Sequence, residues 1–204
     1  MARIIDKEEK RLDIARASIE LFTYKGIAQT SIDEIAKSAG VAKGTIYLYF
    51  KNKEEIIFAI WDMLAQRHQD VFQKRITDKM SAKEKIIELF NFTECEEDHD
   101  KEQILTLYQH FLSTMLVDKT GLYTAYFESF FQRDYKTIST CLQEGIEKGE
   151  LAPHDVDKLT KTIIVFMDGT LIKAKMSNFH FEQAQAFLIQ HITFLLDQCT
   201  RKEP

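Results

Sequence analysis

Lys43, Gly44, Thr45, Tyr47, Leu48 and Tyr49 gather, within seven residues, groups suited to a nucleic-acid backbone and to base edges. A lysine ammonium can pair with phosphate, a glycine lets the main chain approach a sugar closely, and Thr and Tyr hydroxyls can hydrogen-bond phosphate oxygens. Leu48 offers apolar contact to a thymine methyl, and a tyrosine can donate or stack at a base edge. Such groups are useful only if a rigid element presents them, and the spacing predicts one. Ile46 and Phe50 lie four apart and share a helical face. Gly44, Thr45, Tyr47 and Leu48 then project away from that face, with Lys43 and Tyr49 at its margins. Lys43 opens the helix, where the macrodipole also favours phosphate.

The preceding residues predict the support. Ser31 and Glu34 form an S-x-x-E capping box, and Ile32, Ile35 and Ala36 follow at helical spacing. Ala39-Gly40-Val41 ends that helix, because Gly40 can take the left-handed conformation without a Cβ penalty and Val41 can tuck inward. Two short helices joined by a glycine turn make a helix-turn-helix, whose second helix is free to enter the major groove. Thr30 and Ser31 at its start and Lys53 beyond it, after Lys51, complete a candidate DNA-contact set of Thr30, Ser31, Lys43, Gly44, Thr45, Tyr47, Leu48, Tyr49 and Lys53. An ordinary helical hairpin with solvated lysines is the alternative. The agreement of cap, turn and basic-aromatic face favours double-stranded DNA.

From about Ile14 to Leu64 the chain closely resembles the TetR/AcrR family of bacterial transcriptional regulators. The resemblance is carried by Ala15, Leu21-Phe22, Gly26, Thr30-Ser31, Ile35-Ala36, Ala39-Gly40-Val41, Lys43-Gly44, Tyr47, Phe50 and Lys53-Glu54. It covers roughly the first third of the chain; beyond it, only helical character and length agree. It implies an all-α fold with an N-terminal three-helix DNA-binding domain and a C-terminal helical domain for ligand binding and dimerisation. It also implies a repressor released from a palindromic operator by a small-molecule effector. One departure stands out: many members carry Ser or Thr where this chain has Ala42. Losing such a cap costs about 1 kcal/mol, which leaves Lys43 to hold that end.

Charge is divided along the chain. The net charge is −5, but residues 1–53 hold ten Lys/Arg against seven Asp/Glu, while residues 54–204 hold 17 against 25. Electrostatics is local over a Debye length of about 10 Å, so the positive segment counts where it lies. Hydrophobic residues make up 45% of the chain, with only two prolines to interrupt long helices. No apolar run is long enough to span a membrane, and MARIIDKEEK lacks the apolar core of a signal peptide. Cys95, Cys141 and Cys199 are odd in number and widely spaced, which suits reduced thiols and a cytoplasmic location.

Periodicity predicts about nine helices. The first spans about 7–24; the helix-turn-helix occupies about 31–50; a linking fourth helix runs about 53–76. A fifth follows Ser81, a sixth spans about 101–117 after an acidic break at 94–100, and a seventh runs from Gly121 to about 148. The eighth covers about 156–176 and the ninth about 181–200. The expected domains are 1–53 for DNA and 54–204 for effector and dimer. Ile163 to Met167 are five consecutive apolar residues, and the ninth helix is apolar over more than one face. A helix apolar all round needs cover all round, so the eighth and ninth helices are expected to form a two-fold four-helix bundle with a second copy, a buried monomeric core being the alternative.

Phe90, Tyr108, Phe111, Tyr126, Phe127, Phe130, Phe131 and Phe166, with His110, Arg133, Asp134 and Asp168 as polar groups, are the candidate effector-binding residues. Aromatic stripes at helical spacing serve equally well as core. An apolar or aromatic effector, such as a fatty acyl compound or a hydrophobic toxicant, would suit them. Other classes find less support. Cys95 and His99 are four apart, but two ligands make no metal site. No G-x-S-x-G, phosphate-binding glycine loop or H-E-x-x-H is present, so neither enzyme nor cofactor is expected. A helical scaffold without a transcriptional role is the remaining alternative.

Overall fold

The computed structural model describes residues 7–92, 98–177 and 179–200, without the side chains of 98–100 and 175. The side chains of the Cys95-to-His99 run therefore lie outside the described residues. Those residues form nine α-helices: α1 (Lys7–Lys25), α2 (Ile32–Ser38), α3 (Lys43–Tyr49), α4 (Lys53–Arg75), α5 (Ala82–Leu89), α6 (Asp98–Val117), α7 (Leu122–Glu147), α8 (Val156–Ser177) and α9 (Phe181–Cys199). Their ends fall within a residue or two of the sequence pattern, except that α6 starts at Asp98 rather than near Lys101.

Local chemistry explains where the helices begin. At α4, Asn52 Oδ1 accepts from the Glu55 amide while the Glu55 carboxylate accepts from the Lys51 amide, each at 2.9 Å. Ser81 and Glu84 form a reciprocal capping box at α5. Ahead of α7, Asp118 accepts from the Thr120 amide at 2.8 Å and the Tyr123 amide at 3.1 Å. These caps satisfy amides that a helix leaves without partners in its first turn.

The chain sorts into two compact units, Met1–Gln69 with Gln103–Tyr123, and Asp70–Glu102 with Thr124–Pro204. In the first, α1, α2 and α3 pack against one another, burying Ile14, Phe22, Ile35, Ile46 and Phe50. Arg11 of α1 lies over the Phe50 ring, 4.7 Å from its centroid. In the same unit, Phe58 and Trp61 of α4 meet Phe111 of α6 edge-on at 6.3 and 6.0 Å.

The second unit is built around α9, which packs on α8 and α5. Its core joins Phe72, Ile86, Phe90, Ile138, Leu142, Ile163, Leu188, Ile192 and Leu196. Gly145 of α7 is required there. A Cβ at that position would sit 2.6 Å from the Ala82 Cβ and 2.9 Å from Leu151 Cδ1. Alanine is about 1 kcal/mol better than glycine inside a helix, but overpacking costs about 1–3 kcal/mol. Gly145→Ala is therefore expected to lower unfolding free energy by about 1 kcal/mol net, read by urea denaturation. A stabilised variant would mean that α5 yields freely to α7.

Candidate nucleic-acid interface

The α2–α3 unit is fixed at each end of α2. The Ser31 hydroxyl accepts from the Glu34 amide at 3.3 Å, and Glu34 Oε2 accepts from the Ser31 amide at 3.0 Å. At the other end Gly40 is left-handed, with φ 63°. The Val41 amide donates to the Ala36 carbonyl at 2.9 Å, and the Gly40 amide to that of Lys37 at 3.2 Å. That pairing is a Schellman motif, and it forces the chain to turn sharply into α3. Ala42 then precedes α3 with no side-chain cap, in keeping with the missing Ser or Thr.

Ile46 and Phe50 are fully enclosed, whereas Tyr47 is 53% and Leu48 72% exposed. Lys43 and Gly44 are exposed, and Thr45 and Tyr49 half-buried. No heavy atom beyond the local chain lies within 4 Å of where a Gly44 Cβ would be, so the main chain there is open to a partner. The face thus presents one cation, open backbone, a phenol and an apolar side chain. That combination can meet phosphate and major-groove base edges.

Three other candidate contacts are engaged inside the unit. Thr30 is buried, and its hydroxyl donates to the Gly26 carbonyl at 2.8 Å. The Ser31 hydroxyl caps α2. The Lys53 ammonium donates to the Ala28 carbonyl at 2.8 Å and to that of Thr30 at 3.3 Å, tying the start of α4 to the α1–α2 connection. These three hold the face in place. The structure also adds Asp33, whose Oδ2 lies 2.9 Å from Lys43 Nζ. Ten positions separate the pair, a spacing no local pattern links. Glu34 holds Lys25 as well as capping Ser31. The Lys25 hydrogen bond, with those from Ser31, draws the Glu34 carboxyl down to about 2.

The candidate effector residues fall in both units. In the first, Tyr108 meets Trp61 edge-on at 6.0 Å, and Phe111 is buried against Phe58, Trp61 and Tyr123. His110 Nε2 lies 3.2 Å from the Thr23 carbonyl, so this nitrogen is the protonated one, and the ring rests against Gly26. In the second unit, Phe90 is core, with Phe131 and Phe166 packed against the same cluster. Tyr126 meets Phe130 at 5.5 Å, and Arg133 covers the Phe130 ring at 4.5 Å. Phe166 stacks on His191 at 5.0 Å, and Phe127 is half-buried.

Asp134 and Asp168 are close enough to feel one another. Asp134 keeps some surface as a residue, but its carboxyl is closed in by protein. That burial pushes its pKa up to about 6, with Arg133 opposing the rise and Asp168 adding to it. Among the described residues no group of three or more His, Cys, Asp or Glu could hold a metal. No helix among them is long and apolar enough to cross a membrane.

Among the described residues, a capped helix, a left-handed glycine turn and an exposed short helix near the N-terminus make a helix-turn-helix. Residues 14–60 match the model of the tetR family of bacterial regulatory proteins. The fatty acid metabolism regulator protein of Bacillus subtilis is 40% identical over 80 residues, which are 39% of this chain and 41% of that protein. A TetR transcription regulator from Haloarcula marismortui superposes with a TM-score of 0.80 at 16% identity, covering 95% of this chain and all of the other. The transcriptional regulator FadR of Bacillus subtilis, solved in complex with stearoyl-CoA, superposes with a TM-score of 0.71 at 24% identity, covering 89% and 97%. Residues 14–60 are thus similar to the DNA-binding segment of the tetR family, and the solved structures share the fold of the chain.

The Asp134 shift has a defined sign. Its folded pKa of about 6 lies above the unfolded value of about 3.9, so the native state holds the proton more tightly. Stability from this group therefore falls as pH rises from about 4 to about 6, and the full penalty persists above that range. Asp134→Asn is expected to unfold at higher urea than the parent near neutral pH, by up to about 3 kcal/mol, with the gap closing near pH 4. A gap independent of pH would show that the carboxyl is solvated.

Proposed function

We propose that this chain is a dimeric repressor whose α3 enters the major groove of a palindromic operator and which a small apolar or aromatic effector releases. The observation that carries the reading is the exposed α3 face, Lys43, Gly44, Tyr47 and Leu48, held by the α2 cap and the Gly40 turn. Thr45 and Tyr49 flank it, while Thr30, Ser31 and Lys53 hold it. The functional division at residue 53 separates this face from the effector and dimer segment, 54–204.

Dimerisation through α8 and α9 is supported by apolar residues without cover. Val165, Ile172 and Met176 of α8 are 65%, 44% and 77% exposed, and Phe194 of α9 is 61% exposed. A groove of about 740 Å³ on α8 is lined by Val165, Phe166, Gly169, Lys173 and Phe187. A Cβ on Gly169 would meet nothing within this chain. A mid-helix glycine costs about 1 kcal/mol, and close approach of a partner helix would account for it. Two-fold pairing would set the recognition helices about 34 Å apart, or a multiple of that.

For the effector, Asp134, whose carboxyl is closed in by protein, and the aromatic residues of α7 and α8 support a mainly apolar compound with a polar end. A fatty acyl compound is one such class, and a hydrophobic toxicant is another. Effector would favour a conformer in which α4 tilts and the paired recognition helices leave the groove spacing. It can do so only by binding that conformer more tightly, and DNA must then weaken effector binding reciprocally.

Gel shift with the DNA flanking the chain's own gene tests the reading directly, and failure to bind any such duplex would favour a scaffold. Lys43→Ala and Tyr47→Ala are each expected to cost about tenfold or more in operator affinity with the dimer intact. Gly169→Trp and Phe194→Asp should instead yield monomers in sedimentation. Retained operator affinity in the first pair, or a persistent dimer in the second, would overturn the corresponding assignment. Saturating effector that left operator affinity unchanged would overturn the release scheme.

A further inference from the structure

Lys43 sits where a lone cation is poorly placed. It is the first residue of α3, at the positive end of that helix's dipole. α3 has no acidic residue in its first turn, and Ala42 supplies no side-chain cap. The compensating charge comes from another helix: Asp33, in the first turn of α2, places Oδ2 2.9 Å from Lys43 Nζ. The neighbouring Glu34 cannot serve, because one carboxylate oxygen caps Ser31 and the other holds Lys25. Lys53 is turned toward the carbonyls of Ala28 and Thr30. The cation that opens α3 is therefore neutralised within the protein.

The pair is asymmetric in a way that makes it exchangeable. Both side chains are mostly exposed, 52% for Lys43 and 69% for Asp33, so parting them strands no buried charge. Once Lys43 leaves, Asp33 still lies in the first turn of α2, where the helix dipole favours a carboxylate. Lys43 can leave, because a DNA phosphate offers it a charge-assisted hydrogen bond in place of the carboxylate.

Resting on the DNA-binding reading above, we propose that Asp33 is an exchangeable internal counter-ion for Lys43, displaced by a DNA phosphate. It lowers the affinity of the chain for duplex DNA and flattens the salt dependence of binding. A free cation that neutralises a phosphate steepens the plot of log affinity against log salt by about 0.9. Lys43 contributes less than that, because the carboxylate it abandons draws a cation back from solution. Asp33 thus keeps the chain from adhering to arbitrary DNA, while the rest of the α3 face is left to read sequence.

The test uses the full chain and a fluorescently labelled duplex of mixed sequence, with anisotropy followed across a salt series. Asp33→Asn is expected to bind about threefold tighter at low salt, with a slope steeper by up to about 0.9. Asp33→Glu, which can restore the pair, should behave like the parent. The gain from Asp33→Asn should vanish in a Lys43→Ala background. Three outcomes overturn the proposal: no gain, weaker binding, or an equal gain with and without Lys43, which would make Asp33 merely a negative charge near DNA. Binding by none of the variants would overturn the DNA-binding reading as well, so the two failures are distinguishable.

Discussion

The left-handed turn at Gly40 is the constraint on which the α2–α3 region and its exposed face depend. α3 has only seven residues, far below the length at which a helix is stable alone. It lacks a side-chain cap at its start, so its position is imposed from outside. The Schellman bonds from Val41 and Gly40 fix the direction in which the chain leaves α2. Ile46 and Phe50 then lock α3 against α1 and α2. With those anchors in place, Tyr47 and Leu48 have no option but to face outward. The exposed face follows from the turn and from the two buried residues, more than from any helix propensity of its own.

Charge is handled in the same unit by commitment rather than by accumulation. A local excess of Lys and Arg suggests a cationic surface, yet several of those cations have protein partners. Lys25 is held by Glu34, Lys43 by Asp33, and Lys53 by two carbonyls. Surface pairs of this kind add little stability, so their significance lies in orientation and in what they withhold from solvent. Lys53 is tied where α4 begins, which sets the first turn of that helix against the α1–α2 connection. Ion pairing thereby shapes the interface as much as net charge does.

The second unit carries features that cost stability and are retained. Asp134 is kept where burial disfavours its charge, a pattern more common at binding sites than in plain core. Val165, Ile172 and Phe194 stay exposed to solvent on α8 and α9. Gly169 sits within α8 where the chain itself has ample room for a side chain. None of these choices improves an isolated fold, and each is intelligible if the unit meets a ligand or a second copy. Gly145 is different: its missing Cβ is demanded by Ala82 and Leu151 within the chain.

Local patterns made much of this protein readable from its residues. Helix starts at Ser31 and Ser81, the turn at Gly40, the absent cap at Ala42 and the split between Ile46–Phe50 and Tyr47–Leu48 depend on neighbours within about one helical turn. Such relations are set by backbone geometry and survive in any context. The number of helices and the unusually apolar α8 and α9 were legible for the same reason. What only the tertiary structure decided are the pairings that join distant positions. Examples are Lys53 with the Ala28 carbonyl, Asp33 with Lys43, and His110 with the Thr23 carbonyl across 87 positions. A lysine or histidine has the same composition whether it points to solvent or closes on a carbonyl. The difference comes from how separate helices are brought together, and no periodicity along the chain encodes that.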